Sequence, residues 1–109
     1  MLAPLLSSLL MAMAQQGYTP STPPRVPTVA DYLQVCDRDM KTCSDILFDH
    51  TWRFSVGEQK VGYCLPQEGD DTIAITGAVV AWLKARPDLA AQPTDPALNR
   101  ALENLYPCR

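Results

Sequence analysis

Apolar side chains recur at helical spacing in four separate segments of the chain. In the first segment, four of them between Val29 and Cys36 fall at positions i, i+3, i+4 and i+7, which places them on one face of a helix. No segment alternates between apolar and polar residues over the length of a strand. The pattern therefore predicts four helices, which we expect over residues 29–36, 40–56, 72–85 and 96–105.

Polar residues and prolines mark where these helices begin. Thr28 directly precedes the first helix, and Asp70 or Asp71 precedes the third. Short polar side chains at such positions accept hydrogen bonds from the free N–H groups of the first turn. Asp95 followed by Pro96 is typical of a cap with proline at the first helical position. We therefore expect these residues to cap their helices.

The third helix is the most apolar segment after the amino-terminal stretch. Ile73, Gly77 and Val80 lie on one stripe, which Ile75 and Val79 widen. A helix that is apolar around most of its circumference is normally buried. We expect this helix at the centre of the core, and the fold class is predicted to be all-α, a small four-helix bundle.

The amino terminus has the pattern of an export signal. Residues 1–14 carry no charged side chain, and they end in Ala-Met-Ala, an A-x-A cleavage site that predicts a mature start at Gln15. The alternative is a buried amphipathic helix of the domain, but the Pro-rich residues 15–27 would detach it. We predict a signal peptide over 1–14, an extended linker over 15–27 and a helical domain over 28–109.

Length and charge restrict the classes of function. The 109 residues leave room for one small domain, which excludes a two-domain enzyme with a separate cofactor domain. Nine Lys and Arg stand against twelve Asp and Glu, giving a net charge of −3 with no basic block, so nucleic acid is not expected as a partner. The signal stretch is also shorter than the ~20 apolar residues that span a bilayer, so we expect no membrane insertion after cleavage.

The four cysteines carry the clearest chemical signal. An even number of cysteines in a small exported chain predicts two disulfides. Three pairings are possible, and we favour Cys36–Cys43, because a tight turn between the first two helices brings these residues close. Cys64 then pairs with Cys108. A zinc site would need C-x₂-C pairs or more than one histidine, and a redox-active C-x-x-C motif is absent from the sequence.

Three large side chains have competing interpretations. His50 lies on the apolar stripe of the second helix, where a packing role is favoured over a catalytic base, since no nucleophile is identifiably paired with it. Trp52 falls between the two faces of the same helix and is either boundary core or an interface anchor. Trp82 is assigned to the core. The sequence thus gives little support for an enzyme, and it predicts no metal and no cofactor.

An acidic loop precedes the third helix. Glu68, Asp70 and Asp71 lie within four positions of one another. Helix capping and solvation explain such residues, and the sharper hypothesis is an electrostatic contact with a basic partner. We therefore name these three residues, with Trp52, as the candidate partner-binding set.

Short motifs in the carboxyl half carry a family resemblance. They are Tyr-Cys-Leu-Pro at 63–66, Trp-Leu at 82–83 ahead of Arg-Pro at 86–87, and Tyr-Pro-Cys at 106–108. In combination the chain resembles the Rap/Tai immunity proteins over about residues 36–108. Cys36 and Cys43 also look like the amino-terminal cysteine pair of that family.

The resemblance implies a function. Such proteins are small, helical, periplasmic and disulfide-bonded, and they are often dimeric, so a homodimer is one expectation. They are not enzymes; they bind peptidoglycan amidase effectors delivered by type VI secretion and occlude the active-site cleft. The second helix departs from the family, because bulky Phe48 and Trp52 stand where members commonly carry a Tyr-x-x-Gly run. The alternatives are a periplasmic interaction module of the same fold without an effector, and a small exported enzyme or redox protein.

Overall fold

The computed structural model describes residues 24–55, 62–66 and 71–108. The predicted signal peptide, most of the linker, Glu68 and Asp70 lie outside these residues. The described residues form four α-helices and no strand, which confirms the all-α fold class. None of these helices is long and apolar enough to cross a membrane. The helices are α1 (Val29–Arg38), α2 (Met40–Ser55), α3 (Thr72–Lys84) and α4 (Thr94–Leu105), and a 3-10 turn (Pro87–Leu89) connects the last two.

Two of the predicted caps are present, and the third prediction is wrong. Thr28 and Asp31 form a capping box at the start of α1, and Asp71 accepts a hydrogen bond from the N–H of Ile73 at 2.9 Å. Helix α4, however, begins at Thr94, so Asp95 lies within its first turn and is not the cap. Proline is tolerated throughout a first turn, because the N–H groups there have no helical partner.

The amino-terminal segment seats the start of α4. Thr94 donates its backbone N–H to the carbonyl of Pro27 at 3.1 Å, and its hydroxyl donates to the carbonyl of Val26. Thr28 and Pro93 form an isolated bridge beside these bonds. These long-range hydrogen bonds fix where α4 begins, which the local sequence pattern does not reveal.

Helix α3, predicted to lie at the centre of the core, contacts each of the other three helices, and α1 does the same. The buried residues of α3 are Ile75, Thr76, Val79, Val80 and Leu83. Ile73 is 43% exposed, so the predicted stripe that begins with it is not the buried face. Because α3 is apolar around most of its surface, helical spacing alone does not identify the face that packs.

Two disulfides close the fold in the pairing that the sequence favours. Cys36 and Cys43, with Cα atoms 4.7 Å apart, join α1 to α2 across a one-residue turn. Cys64 and Cys108, 4.9 Å apart, join residues 62–66 to the segment after α4. Beside the second disulfide, the N–H of Cys64 donates to the carbonyl of Tyr106 at 2.8 Å. The first and last motifs of the family resemblance therefore meet in space.

Candidate partner-binding surface

The described members of the candidate partner-binding set are both exposed. Trp52, in the last turn of α2, is 68% exposed, the higher value of the two large apolar side chains that the described residues leave at the surface. Asp71 is exposed at the start of α3. Trp82, assigned to the core, is only partly buried and packs against the core's margin.

A groove of about 440 Å³ lies against the second half of α2. Asp49, one helical turn before Trp52, and Arg53, directly after it, both line this groove, whereas Trp52 itself is not a lining residue. The opposite wall is the segment 24–27, and Ile46 and Asp95 contribute from α2 and α4. We call Trp52 together with these lining residues the Trp52 groove.

Three of the four charged side chains that line the groove are paired with one another. The Arg53 guanidinium contacts the Asp49 carboxylate at 3.1 Å and the Asp95 carboxylate at 3.5 Å. The same Asp95 oxygen lies 2.9 Å from Nδ1 of His50. These contacts hold Arg53 between α2 and α4, although its side chain is about half exposed. The groove therefore has a fixed arrangement of charge before any partner arrives.

His50 anchors this arrangement from the protein interior. Its side chain is fully buried, and its Nε2 lies 2.8 Å from the Asn99 side-chain oxygen. The Phe54 ring packs against it at 4.5 Å between centroids. A buried ring with both nitrogens hydrogen-bonded avoids the penalty for an unsatisfied polar group. His50 is therefore buried, as the packing interpretation expects, and it is also held by two polar contacts.

The sequence interpretation missed the two α4 partners of His50. Asp95 had been assigned to a cap, and Asn99 had been assigned no role. A signal was present, because residues 95 and 99 are four apart and share one face of α4. A lone histidine on an apolar stripe needs polar partners of that kind.

Neither a free thiol nor a metal-binding cluster is found among the described residues. All four cysteines are in disulfides, so no thiol is available as a nucleophile. No group of three or more His, Cys, Asp or Glu side chains in the described part could hold a metal ion. Burial raises the pKa of Tyr32, and burial with the nearby Glu103 carboxylate raises that of Tyr63, but both rings lie in the core.

These features define a class: a small helical protein, closed by two disulfides, with an exposed aromatic side chain beside a pre-arranged groove. The family model of the Rap1a immunity proteins matches residues 28–108, and the chain belongs to this family. The family implies an immunity protein for a secreted effector, acting as a non-enzymatic inhibitor. No curated protein and no solved structure matches the chain.

Proposed function

We propose that this chain is exported to the periplasm, where it binds and blocks a secreted peptidoglycan amidase effector delivered by type VI secretion. The observation that carries the proposal is the family match over residues 28–108. The signal-like pattern of residues 1–14 and the two disulfides support an exported, oxidised protein. The inhibitor acts by occluding the active-site cleft of the effector.

The Trp52 groove is the proposed contact surface. Tryptophan and arginine dominate the residues that contribute most to protein interfaces, and Trp52 and Arg53 are adjacent here. Because Arg53 is already held by Asp49 and Asp95, little side-chain freedom is lost when a partner binds. A surface of this kind favours tight inhibition.

The acidic loop provides a second proposed contact. Glu68, Asp70 and Asp71 present carboxylates that suit a basic rim around the effector's cleft. Asp71 is exposed, and its carboxylate also caps α3. The homodimer implied by the resemblance stays a separate prediction, which light scattering of the mature protein tests.

Affinity capture tests the function. The tagged, oxidised protein starting at Gln15 is exposed to lysates and secretions of the source cells, and bound proteins are identified by mass spectrometry. We expect one cell-wall amidase in stoichiometric amount, and the purified amidase should lose activity when the protein is added. Recovery of no hydrolase from an input shown to contain one would contradict the proposal.

The contact surface is tested on the captured pair with matched variants. Trp52→Ala should weaken the complex by about 30-fold, which corresponds to roughly 2 kcal/mol for an interface anchor. Ile73→Ala removes the other large exposed apolar side chain, on α3, and should leave affinity within about twofold. Equal affinities for both variants would move the interface away from Trp52 while leaving the inhibitory function in place.

A further inference from the structure

A second groove lies between α1 and the carboxyl end of α3. Two cavities share Gln34 and Asp37 there: one of about 340 Å³, which Lys84 and Arg86 also line, and one of about 360 Å³, which Arg38 also lines. It shares no lining residue with the Trp52 groove. We call it the basic groove and define it by Leu33, Gln34, Asp37, Arg38, Lys84 and Arg86.

Its charge is opposite to that of the chain as a whole. Three cations and one carboxylate line the basic groove, in a protein whose net charge is −3. Lys84 pairs with Asp37 at 2.8 Å, which neutralises that carboxylate. Arg38 and Arg86 form no ion pair with a carboxylate of the described residues. Two positive charges are therefore left to attract an anionic group.

Arg86 is held in a defined position. Its guanidinium lies 3.7 Å from the centroid of the Trp82 ring, and Nη1 donates to the Trp82 carbonyl at 2.8 Å. These contacts leave other guanidinium N–H groups to donate elsewhere. Cations near helix carboxyl ends also complement the helix dipole, but that role does not require the apolar floor to which Leu33 and Pro87 contribute.

We propose that the basic groove binds an acidic peptide segment of a partner protein. Carboxylates of the segment pair with Arg38 and Arg86, and a neighbouring apolar side chain packs on Leu33 and Pro87. The groove lies roughly 20 Å along α3 from Asp71, at 1.5 Å per residue. It is thus separate from Asp71, the described residue of the acidic loop, and the inference does not depend on the proposed inhibition of an amidase.

A labelled peptide of alternating glutamate and leucine tests the proposal by fluorescence anisotropy with the oxidised mature protein. We expect binding that weakens as salt is added, because the contacts are exposed ion pairs. Arg38→Gln with Arg86→Gln should weaken binding by about tenfold or more. Lys41→Gln with Arg100→Gln removes the same charge from positions that line neither groove and should change it by less than about twofold.

Thermal unfolding of each variant verifies that it is folded. If loss of the Arg86 contacts destabilises the double variant, Arg38→Gln alone is used for the binding measurement. A peptide with glutamine in place of glutamate should not bind. Three results would overturn the inference: no binding of the acidic peptide, equal loss in both double variants, or Arg38- and Arg86-dependent binding to phosphatidylglycerol vesicles without peptide binding.

Discussion

The chain has two tryptophans, and each belongs to a different kind of surface. Trp52 is exposed and directly precedes Arg53 in the sequence. The groove that Arg53 lines holds two carboxylates, Asp49 and Asp95, and two guanidinium groups, Arg25 and Arg53. Trp82 is partly buried beneath Arg86, at a groove whose cations outnumber its carboxylates. The first surface is rigid and electrically balanced, whereas the second carries uncompensated charge.

This difference separates two contributions to binding. A balanced, pre-arranged surface contributes mainly to how long a complex lasts, because few side chains must be ordered on binding. A surface with excess charge contributes mainly to how fast an oppositely charged partner arrives, and that contribution falls with salt. The two surfaces should therefore respond differently to the same perturbation.

The largest expected effect concerns the Cys64–Cys108 disulfide, on which both surfaces depend. Cys64–Cys108 links residues 44 apart and encloses α3 and α4, which supply Lys84 to one surface and Asp95 to the other. Replacing both cysteines with alanine should lower the free energy of unfolding by about 4 kcal/mol, the loop-entropy estimate for this length. Urea unfolding followed by circular dichroism measures it. A loss below about 1 kcal/mol would show that packing alone closes this part of the fold.

A smaller effect distinguishes the two surfaces directly. Asp95→Ala removes a hydrogen-bond partner from fully buried His50 and should lower the free energy of unfolding by about 1–3 kcal/mol. Asp37→Ala removes an exposed carboxylate from the basic groove and should change it by about 0.5 kcal/mol or less. Urea unfolding of the two variants provides the comparison, and equal losses would mean that the His50 contact is not a structural anchor.

The smallest effect concerns the bond that links the helices carrying the two surfaces. The Tyr32 hydroxyl of α1 donates to the carbonyl of Cys43 in α2 at 3.1 Å, and burial raises the pKa of Tyr32. Because the pKa is raised on folding, the contribution of Tyr32 to stability is fully present below the pKa of tyrosine in the unfolded chain, about 10. This contribution is lost as pH rises above that value. Tyr32→Phe should cost about 1 kcal/mol at neutral pH through the lost hydrogen bond.

The loss of stability at alkaline pH should distinguish Tyr32→Phe from the native chain. Between pH 9 and 11, the midpoint temperature of thermal unfolding should fall less steeply for Tyr32→Phe than for the native chain. Some slope should remain in the variant, because burial and Glu103 also raise the pKa of Tyr63. If the midpoint temperatures of the two proteins fell in parallel with pH, Tyr32 would be excluded as a source of the alkaline loss of stability.

The features that could be predicted from sequence are local ones. The four helices follow from apolar spacing, and the disulfide pairing follows from the tight turn that brings Cys36 near Cys43. The start of α4 could not be predicted, because Asp95 before Pro96 fits a cap equally well until Thr94 is seen to bond the segment before α1. The bond between Asp95 and His50 depends on that same long-range packing.

Both grooves are assembled from segments distant in sequence. The Trp52 groove needs residues 24–27 beside α2, and the basic groove needs the carboxyl ends of α1 and α3 together. Sequence indicated Trp52 as a candidate anchor because of its position between two helix faces. It gave no comparable signal for Arg38 with Arg86, since neither residue is close to the other along the chain.

Hydroxyl-radical footprinting of the complex with the captured amidase tests the central claim most directly. Tryptophan side chains report their own exposure, and Trp52 and Trp82 mark the two surfaces. We predict that complex formation strongly reduces the oxidation of Trp52 and leaves that of Trp82 unchanged. Unchanged oxidation of Trp52 in a fully formed complex would contradict it.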